Sequence, residues 1–313
     1  MRIGGVEIEI NIPYDRRDLD SVEVLSQRRK AFFRGFYTRK QRSVMQRFTD
    51  RGFNVLYDLV KRYKSFLESR IDIFMGKTFC IKISTGCSGQ CSYCSIKLSR
   101  GLVKSKSLDK ILAEFKEGLD QGYMHFALLG TDIGDYGRDI GMNLCDLLDQ
   151  MVSIEKDFKI RLRNVNPRWL ISNWPRFRTI LETGKIAYLQ SPIQSGSNRI
   201  LELMKRGYYA EDFLACARKI RLMFPTVVLK TKIIVGLPSE TETEFLESII
   251  IVNSGIFDYV DVFRYTRRPG TPASLMEPEV PDEVKIRCHR KLLFRTLFNQ
   301  PWRKLQAINH LNP

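Results

Sequence analysis

The chain has 313 residues, of which 43% are hydrophobic and 27% charged. That balance excludes a disordered or fibrous chain, and the length allows one large α/β domain or two smaller ones. Lys and Arg total 51 against 35 Asp and Glu, a formal charge of +16, which points to an acidic partner: nucleic acid, an anionic substrate or an acidic redox protein. The longest apolar stretch, around Ile249 to Val252, is too short for a bilayer. The opening MRIGGVEIEINIPYD carries acids where a signal peptide has its apolar core. No membrane contact and a cytoplasmic location are therefore expected.

Residues 1–75 hold no cysteine and no strand–helix rhythm. Arg28, Arg29, Lys30, Arg34, Arg39, Lys40, Arg42, Arg47 and Arg51 face a single acid, Asp50, with Phe32, Phe33, Phe36, Tyr37 and Phe48 among them. Cations interleaved with rings suit a nucleic-acid surface. They equally suit a helix whose aromatics pack inward. The segment is expected to be basic and mainly helical.

From residue 76 to about 298 strands and helices alternate. Strands are expected at Thr78–Ser84, His125–Gly130, Lys159–Val165, Ile186–Gln194, Val227–Leu237 and Tyr259–Tyr265. Helices are expected after Ser107, over Leu144–Val152, around Leu170–Glu182, over Ser197–Met204 and Glu211–Phe224, after the Thr241-x-x-Glu244 capping box, and over Pro281–Phe298. Six β-α units imply a parallel sheet with right-handed crossovers. Six is too few for a closed eight-fold barrel, so the expected fold is α/β, a partial (β/α)6 barrel, followed by a short tail at 299–313. Ligands should gather at the C-terminal strand ends.

The sharpest motif is Cys87-Ser-Gly-Gln-Cys91-Ser-Tyr-Cys94, just past the first strand. Three thiolates so close can grip one soft metal centre. They suit a four-iron cluster with one iron left open. Zinc would need a fourth ligand. Cys80 lies within the strand, and His125, His289 and His310 are distant in sequence.

This motif after a first strand, with Tyr93 before the last Cys, resembles the radical S-adenosylmethionine (radical SAM) superfamily. Leu128–Asp132, Pro192–Ser197, Arg199–Arg206, Ile233–Pro238 and Arg268–Ala273 together resemble its methylthiotransferases, which modify tRNA bases or a ribosomal protein. The resemblance implies that Cys87, Cys91 and Cys94 bind a 4Fe-4S cluster whose open iron takes S-adenosylmethionine. It implies further cofactor contacts at Tyr93, at Gly130, Thr131 and Asp132 (methionyl amino group), and at Gln194 and Ser195 (ribose). Ile234 and Gly236 would lie against the adenine, and Arg206 would meet the carboxylate. Sulfur or methylthio insertion into a tRNA base would follow, with a flavodoxin or ferredoxin as electron donor.

Three departures stand beside the matches. The family's N-terminal domain brings three cysteines for a second cluster, and residues 1–75 have none. Cys145, Cys216 and Cys288 fall in expected helices, where free Cys acts as a small apolar residue. No counterpart of the family's C-terminal RNA-binding domain precedes Pro313, so any grip on tRNA would come from the basic segment. Lys232 stands where the family commonly has Asp. By alternation Lys82, Arg161, Arg163, Lys230 and Lys232 either line the barrel or point outward with their heads in water. If they line it, Lys82, Arg161, Arg163 and Lys232, with Arg268, are candidates for holding an anionic nucleotide-type substrate, a tRNA base or a small nucleotide or sugar phosphate. The other outcomes are non-sulfur radical chemistry on a small molecule, and a non-catalytic cluster-bearing RNA-binding protein.

Overall fold

The computed structural model describes residues 77–299 and, ahead of them, a two-residue antiparallel pairing of Arg2–Ile3 with Val6–Glu7. The chain divides into two compact units, Met1–Asn54 and Val55–Pro313. The short pairing belongs to the first unit, and all that follows belongs to the second. The aromatic, basic stretch from Arg28 to Arg51, the expected helicity of 1–75 and the tail from residue 300 lie outside the described residues.

Six strands form one sheet: β1 (Thr78–Lys82), β2 (His125–Leu129), β3 (Lys159–Leu162), β4 (Ile186–Gln190), β5 (Val228–Val235) and β6 (Tyr259–Arg264). All neighbours are parallel and the spatial order is the chain order. Among the described residues β1 and β6 are the edges and do not meet, so the barrel is partial, as expected. The helices are α1 (Ile96–Arg100), α2 (Leu108–Asp120), α3 (Leu144–Val152), α4 (Pro167–Ser172), α5 (Trp174–Glu182), α6 (Asn198–Leu203), α7 (Ala210–Met223), α8 (Glu242–Asn253) and α9 (Asp282–Asn299).

The sheet's outer face explains why these strands exist. Phe79, Ile81, Phe126, Leu128, Ile160, Leu162, Leu229, Ile233, Val235 and Val260 alternate outward and join one buried core with the helices. At its centre Phe126 meets Phe115 of α2 edge-on at 4.4 Å, and Phe115 meets Phe158 at 5.0 Å. Each such ring contributes about 1.5–3 kcal/mol by burial.

Two helices begin as the sequence requires. Asn143 caps α3 reciprocally with Asp146, and Thr241 caps α8 with Glu244. Arg199 also grips the Glu244 carboxylate, and that hydrogen bond, more than any other contact, holds it down at about 2. The α6 region is thereby tied to the start of α8.

Elsewhere the expected bounds shift for physical reasons. The single helix around 170–182 is two, α4 and α5, broken at Asn173, because Pro175 cannot continue the preceding turn. The first strand ends at Lys82, where Ser84–Thr85 leaves the sheet to pair antiparallel with Lys104–Ser105. The third strand stops at Leu162, and Asn164 turns with a left-handed φ of 59°. The fourth stops at Gln190, with one isolated bridge from Gln194 to Ile233.

Candidate functional site

The cysteine loop sits where β1 leaves the sheet, and the chain pins it from several sides. The Ser92 side chain is fully buried, and its hydroxyl donates to the Leu203 carbonyl at 2.6 Å. The Ser92 N–H donates to the Met204 carbonyl at 3.1 Å, and Ala273 N–H donates to the Ser92 carbonyl at 2.9 Å. The end of α6 and the Arg268–Ala273 loop after β6 therefore both clamp the middle of the motif. Ser88 N–H donates to Asp135, a wholly buried carboxylate in the turn after β2, at 2.5 Å. Arg138 and Arg168 lie 3.9 and 3.8 Å from the other Asp135 oxygen.

Within the loop, Gly89 keeps a space clear between two thiols. A Cβ there would lie 3.1 Å from Cys87 Sγ and 3.9 Å from Cys91 Sγ. The Cys91 sulfur also acts electrostatically on both Cys87 and Cys94, so the three thiols are neighbours. Among the described residues, no three His, Cys, Asp or Glu side chains converge on a point suited to one metal ion. A mononuclear zinc needs four ligands around such a point. A cluster of several irons takes its thiolates spread around a larger body, and the loop fits that description. Burial pushes the Cys87 thiol up to about 11 and the Cys94 thiol upward, so loading with iron must drive protons off.

The resemblance-derived contacts surround this loop. Tyr93 and Ile234 pack against the same apolar group, Ile200, Met204, Leu237, Tyr265 and Ala273. Gly130 ends β2, and a side chain there would strike Ser84 Oγ at 2.8 Å. Ser84 Oγ, Thr131 Oγ1 and Gln194 Oε1 are buried and have no hydrogen-bond partner. Three orphaned polar atoms at the ends of β1, β2 and β4 are what a polar cofactor would satisfy. Gln194 also holds a left-handed φ of 78°, a strain typical of ligand-binding positions. Ser195 is fully buried, and its hydroxyl accepts the Ser197 N–H at 3.2 Å.

Three other residues of that set make close contacts within the chain. Both Asp132 carboxylate oxygens are engaged: Oδ1 accepts from Gly134 N–H and Asn166 N–H, each at 3.1 Å, and Oδ2 from the Trp169 indole at 3.3 Å. Burial lifts it to about 6. The Arg206 guanidinium donates to Cys91 Sγ at 3.2 Å, Tyr93 at 3.4 Å, the Pro192 carbonyl at 2.9 Å and Tyr208 at 3.1 Å. It is thus committed beside the Cys91 thiol. Gly236 has a φ of 79°, and a Cβ there would lie 2.4 Å from Lys285 Cγ, so the group closing on it is a side chain of α9.

The basic residues share the sheet's inner face. Lys232 donates to Asn164 Oδ1 at 3.0 Å, and Gln190 donates to the same oxygen at 2.7 Å. Lys230 pairs with Asp261 at 3.0 Å, and Arg161 stacks over Tyr188 at 5.0 Å. Lys82 and Arg163 are exposed. Arg268 stands apart from them, bonded to Ser95 Oγ at 3.1 Å beside the cysteine loop. Sequence reasoning missed Asp135, Asn164 and Tyr208. Asp135 meets Ser88, Asn164 meets Gln190 and Lys232, and Tyr208 meets Pro192 and Ile193, all distant in sequence, and no local spacing marks these contacts.

The family model of the radical SAM superfamily matches residues 81–250. The chain is 36% identical over 214 residues to a probable threonylcarbamoyladenosine tRNA methylthiotransferase of Archaeoglobus fulgidus, covering 68% of this chain and 50% of that one. It is 36% identical over 216 residues to a tRNA-2-methylthio-N(6)-dimethylallyladenosine synthase of Acetivibrio thermocellus, covering 68% and 45%. The chain thus spans about half the length of these relatives. In fold it is similar to the radical S-adenosylmethionine methyltransferase TsrM of Kitasatospora setae, with a TM-score of 0.53 and 16% identity over 64% of this chain and 39% of that one. No described helix is long and apolar enough to cross a membrane. The cysteine loop at the end of the first of six parallel strands and the match across more than half of the chain have one explanation: this protein belongs to the radical SAM superfamily.

Proposed function

We propose that this radical SAM enzyme activates a C–H bond of a nucleotide-type substrate for sulfur or methylthio insertion, with a tRNA base as the form its relatives favour. One observation carries the reading: a clamped three-cysteine loop stands beside orphaned polar atoms at three strand ends. Cys87, Cys91 and Cys94 would hold a 4Fe-4S cluster, leaving one iron for S-adenosylmethionine. Bound and reduced, the cluster would supply one electron for reductive cleavage of S-adenosylmethionine to methionine and a 5′-deoxyadenosyl radical able to take a hydrogen atom from the substrate.

The chain's own residues bind and orient. The Gly130 carbonyl and Thr131 hydroxyl are acceptors for the methionyl ammonium, a role Asp132 supports by fixing the turn. Gln194 Oε1 would accept from a ribose hydroxyl, and Tyr93 and Ile234 would lie beside the adenine. Asp135 keeps the loop in place through Ser88. Lys97, Arg100, Arg267 and Arg268 are exposed around the loop and suit an acidic flavodoxin or ferredoxin.

A second reading is non-sulfur radical chemistry on a small nucleotide or sugar phosphate. It is favoured by Cys145, Cys216 and Cys288, which are buried separately in α3, α7 and α9 and form no second trio among the described residues. The test is anaerobic reconstitution with iron, sulfide and a reductant. The expected result is about four irons per chain and release of 5′-deoxyadenosine, both lost in Cys91→Ala. A colourless protein holding one zinc overturns the reading. Mass spectrometry of RNA and nucleotide products then separates sulfur insertion from other outcomes.

A further inference from the structure

Tyr188 and Gln190 of β4, Lys232 of β5 and Asn164 just past β3 form one chain of hydrogen bonds. Its direction is fixed from one end. An ammonium can only donate, so the Asn164 atom 3.0 Å from Lys232 Nζ is the carbonyl oxygen, Oδ1. The Gln190 atom 2.7 Å from that oxygen is then the amide nitrogen. Gln190 Oε1 is left to accept, and the Tyr188 hydroxyl donates to it at 3.2 Å. Burial raises the Tyr188 phenol, so it keeps the proton it donates, and burial lowers the Lys232 amine only to about 8, so near neutral pH it is still an ammonium. Asn164 Oδ1 thus has both lone pairs occupied. Tyr188 and Gln190 are buried, whereas Asn164 and Lys232 are half-buried. Among the described residues Asn164 Nδ2 has no partner. The open end of the chain therefore presents N–H groups alone: those of the Asn164 amide and the remaining two of Lys232.

The backbone sets these donors beside the residues assigned to the cofactor. Asn164 holds a left-handed φ of 59°, a conformation Asn tolerates better than most residues. Its carbonyl accepts the Ile133 N–H at 3.2 Å, next to Asp132, and the following Val165 N–H donates to the Gln190 carbonyl at 2.9 Å. On β5 the Lys232 carbonyl accepts the Gln194 N–H at 2.8 Å, and the Ile234 N–H donates to the Gln194 carbonyl at 2.8 Å. Lys232 and Ile234, two residues apart, share a face of the strand. The donor pair thus borders Thr131 and Asp132 on one side and Gln194 and Ile234 on the other. A molecule seated there is matched by acceptors. One that turned its own N–H groups to the pair would leave donors unpaired on both sides, which is how a polar site rejects the wrong ligand.

We infer that Asn164 and Lys232 are specificity-determining residues that hold the substrate base by an edge of unprotonated ring nitrogens. The inference rests on the nucleotide-type reading and adds the edge by which the base is held. In adenine the C2 side carries two ring-nitrogen acceptors, N1 and N3, whereas on the other side the acceptor N7 lies beside the N6 amino donor. Asn ordinarily reads the N6–N7 pair with its oxygen and nitrogen together. Here the oxygen is taken by Lys232 and Gln190, so the C2 side is the one that fits.

The experiment uses protein reconstituted without air and saturated with S-adenosylmethionine, near neutral pH. Calorimetry measures its affinity for adenosine and for 1-deaza-, 3-deaza- and 7-deazaadenosine, in each of which a C–H replaces one ring nitrogen. Support is equal binding of adenosine and 7-deazaadenosine, with the 1-deaza or 3-deaza analogue about 10-fold weaker. Asn164→Asp then reverses the open end: its carboxylate still accepts from Lys232 and Gln190 but offers the ligand an acceptor where the amide offered donors. Adenosine should bind this variant about 10-fold more weakly, and the penalty for removing N1 or N3 should shrink. Adenosine affinity unchanged in Asn164→Asp, 1-deaza and 3-deaza analogues that both bind as adenosine does, or a 7-deaza loss as large as theirs overturns the inference. Circular dichroism shows whether the variant is folded; if it is not, the analogue series on the wild type decides alone. Absence of adenosine binding removes the nucleotide-type reading and this inference together, whereas adenosine binding without the analogue pattern sinks this inference alone. Release of 5′-deoxyadenosine by the wild type is scored separately.

Discussion

The two faces of the same six strands solve opposite problems. The outer face buries Phe79, Ile81, Phe126, Leu128, Ile160 and Leu162 under helices and gains stability from every side chain. The inner face carries Lys82, Arg161, Arg163, Lys230 and Lys232, with Lys230 paired to Asp261 and Lys232 bonded to Asn164. Alternation along a strand allows both on one backbone. The difference teaches how alternation lets one backbone keep apolar packing on one side and polar pairing on the other.

The largest expected effect breaks the outer face. Phe126→Ala removes a fully buried ring that packs on Phe115, Phe79 and Phe158. Urea unfolding should show a loss of about 3–5 kcal/mol. A loss below about 1 kcal/mol would mean that the core collapses around the gap and is not the source of stability claimed for it.

Next comes the tie between the turn after β2 and the cysteine loop. Asp135→Asn removes a buried charge that accepts from Ser88 and attracts Arg138 and Arg168. The fold should lose about 1–3 kcal/mol. Iron content after reconstitution should fall while far-ultraviolet circular dichroism stays native. Full iron loading would show that the loop is held well enough by Leu203, Met204 and Ala273 alone.

Much of this was legible in the sequence, and the reason differs by region. The outer strands and the helix starts follow local rules, so Leu144–Val152 and the Thr241-x-x-Glu244 start of α8 stand where periodicity and capping put them. The cysteine trio was legible because its chemistry demands close spacing. Asp132 was legible as a strand-end acid, but its engagement by Asn166 and Trp169 was not, since those partners are more than thirty residues away. The Asp135–Ser88 contact and the Arg206–Cys91 contact were hidden for the same reason. The inward direction of the lysines followed only from register, which alternation alone left open.

The inner face should respond with the opposite sign. Lys232→Met replaces a desolvated amine by an apolar chain of similar length. The ligand-free protein should gain about 1–2 kcal/mol, as buried charges often cost more than they return. The pH dependence sharpens this. Asp261, Lys230, Arg163 and Asn164 surround the amine, and burial holds it at about 8, below its ordinary 10.5. Between those values the unfolded chain keeps a proton that the folded chain has shed, so stability should rise with pH across that window. Lys232→Met should flatten that rise relative to the wild type. Identical pH profiles would return Lys232 to an ordinary solvated lysine.

The smallest effect concerns the seam between the two regions. Arg206 lies against Cys91, Tyr93 and Tyr208, a buried cation whose N–H points at the Cys91 sulfur. A positive charge and a hydrogen bond at that sulfur stabilise the more negative, reduced state. Arg206→Gln removes both, and the midpoint potential of the reconstituted cluster should move about 30–60 mV more negative, tenfold in the reduction equilibrium at the upper figure. Arg206→Lys keeps the charge and should recover part of the shift. Spectroscopic redox titration reads the potential directly, independent of turnover. A role limited to packing α6 against the loop would leave the potential where it was in both variants and change only iron content. The comparison between faces then has a boundary: this cation belongs to neither face and answers to the Cys91 sulfur.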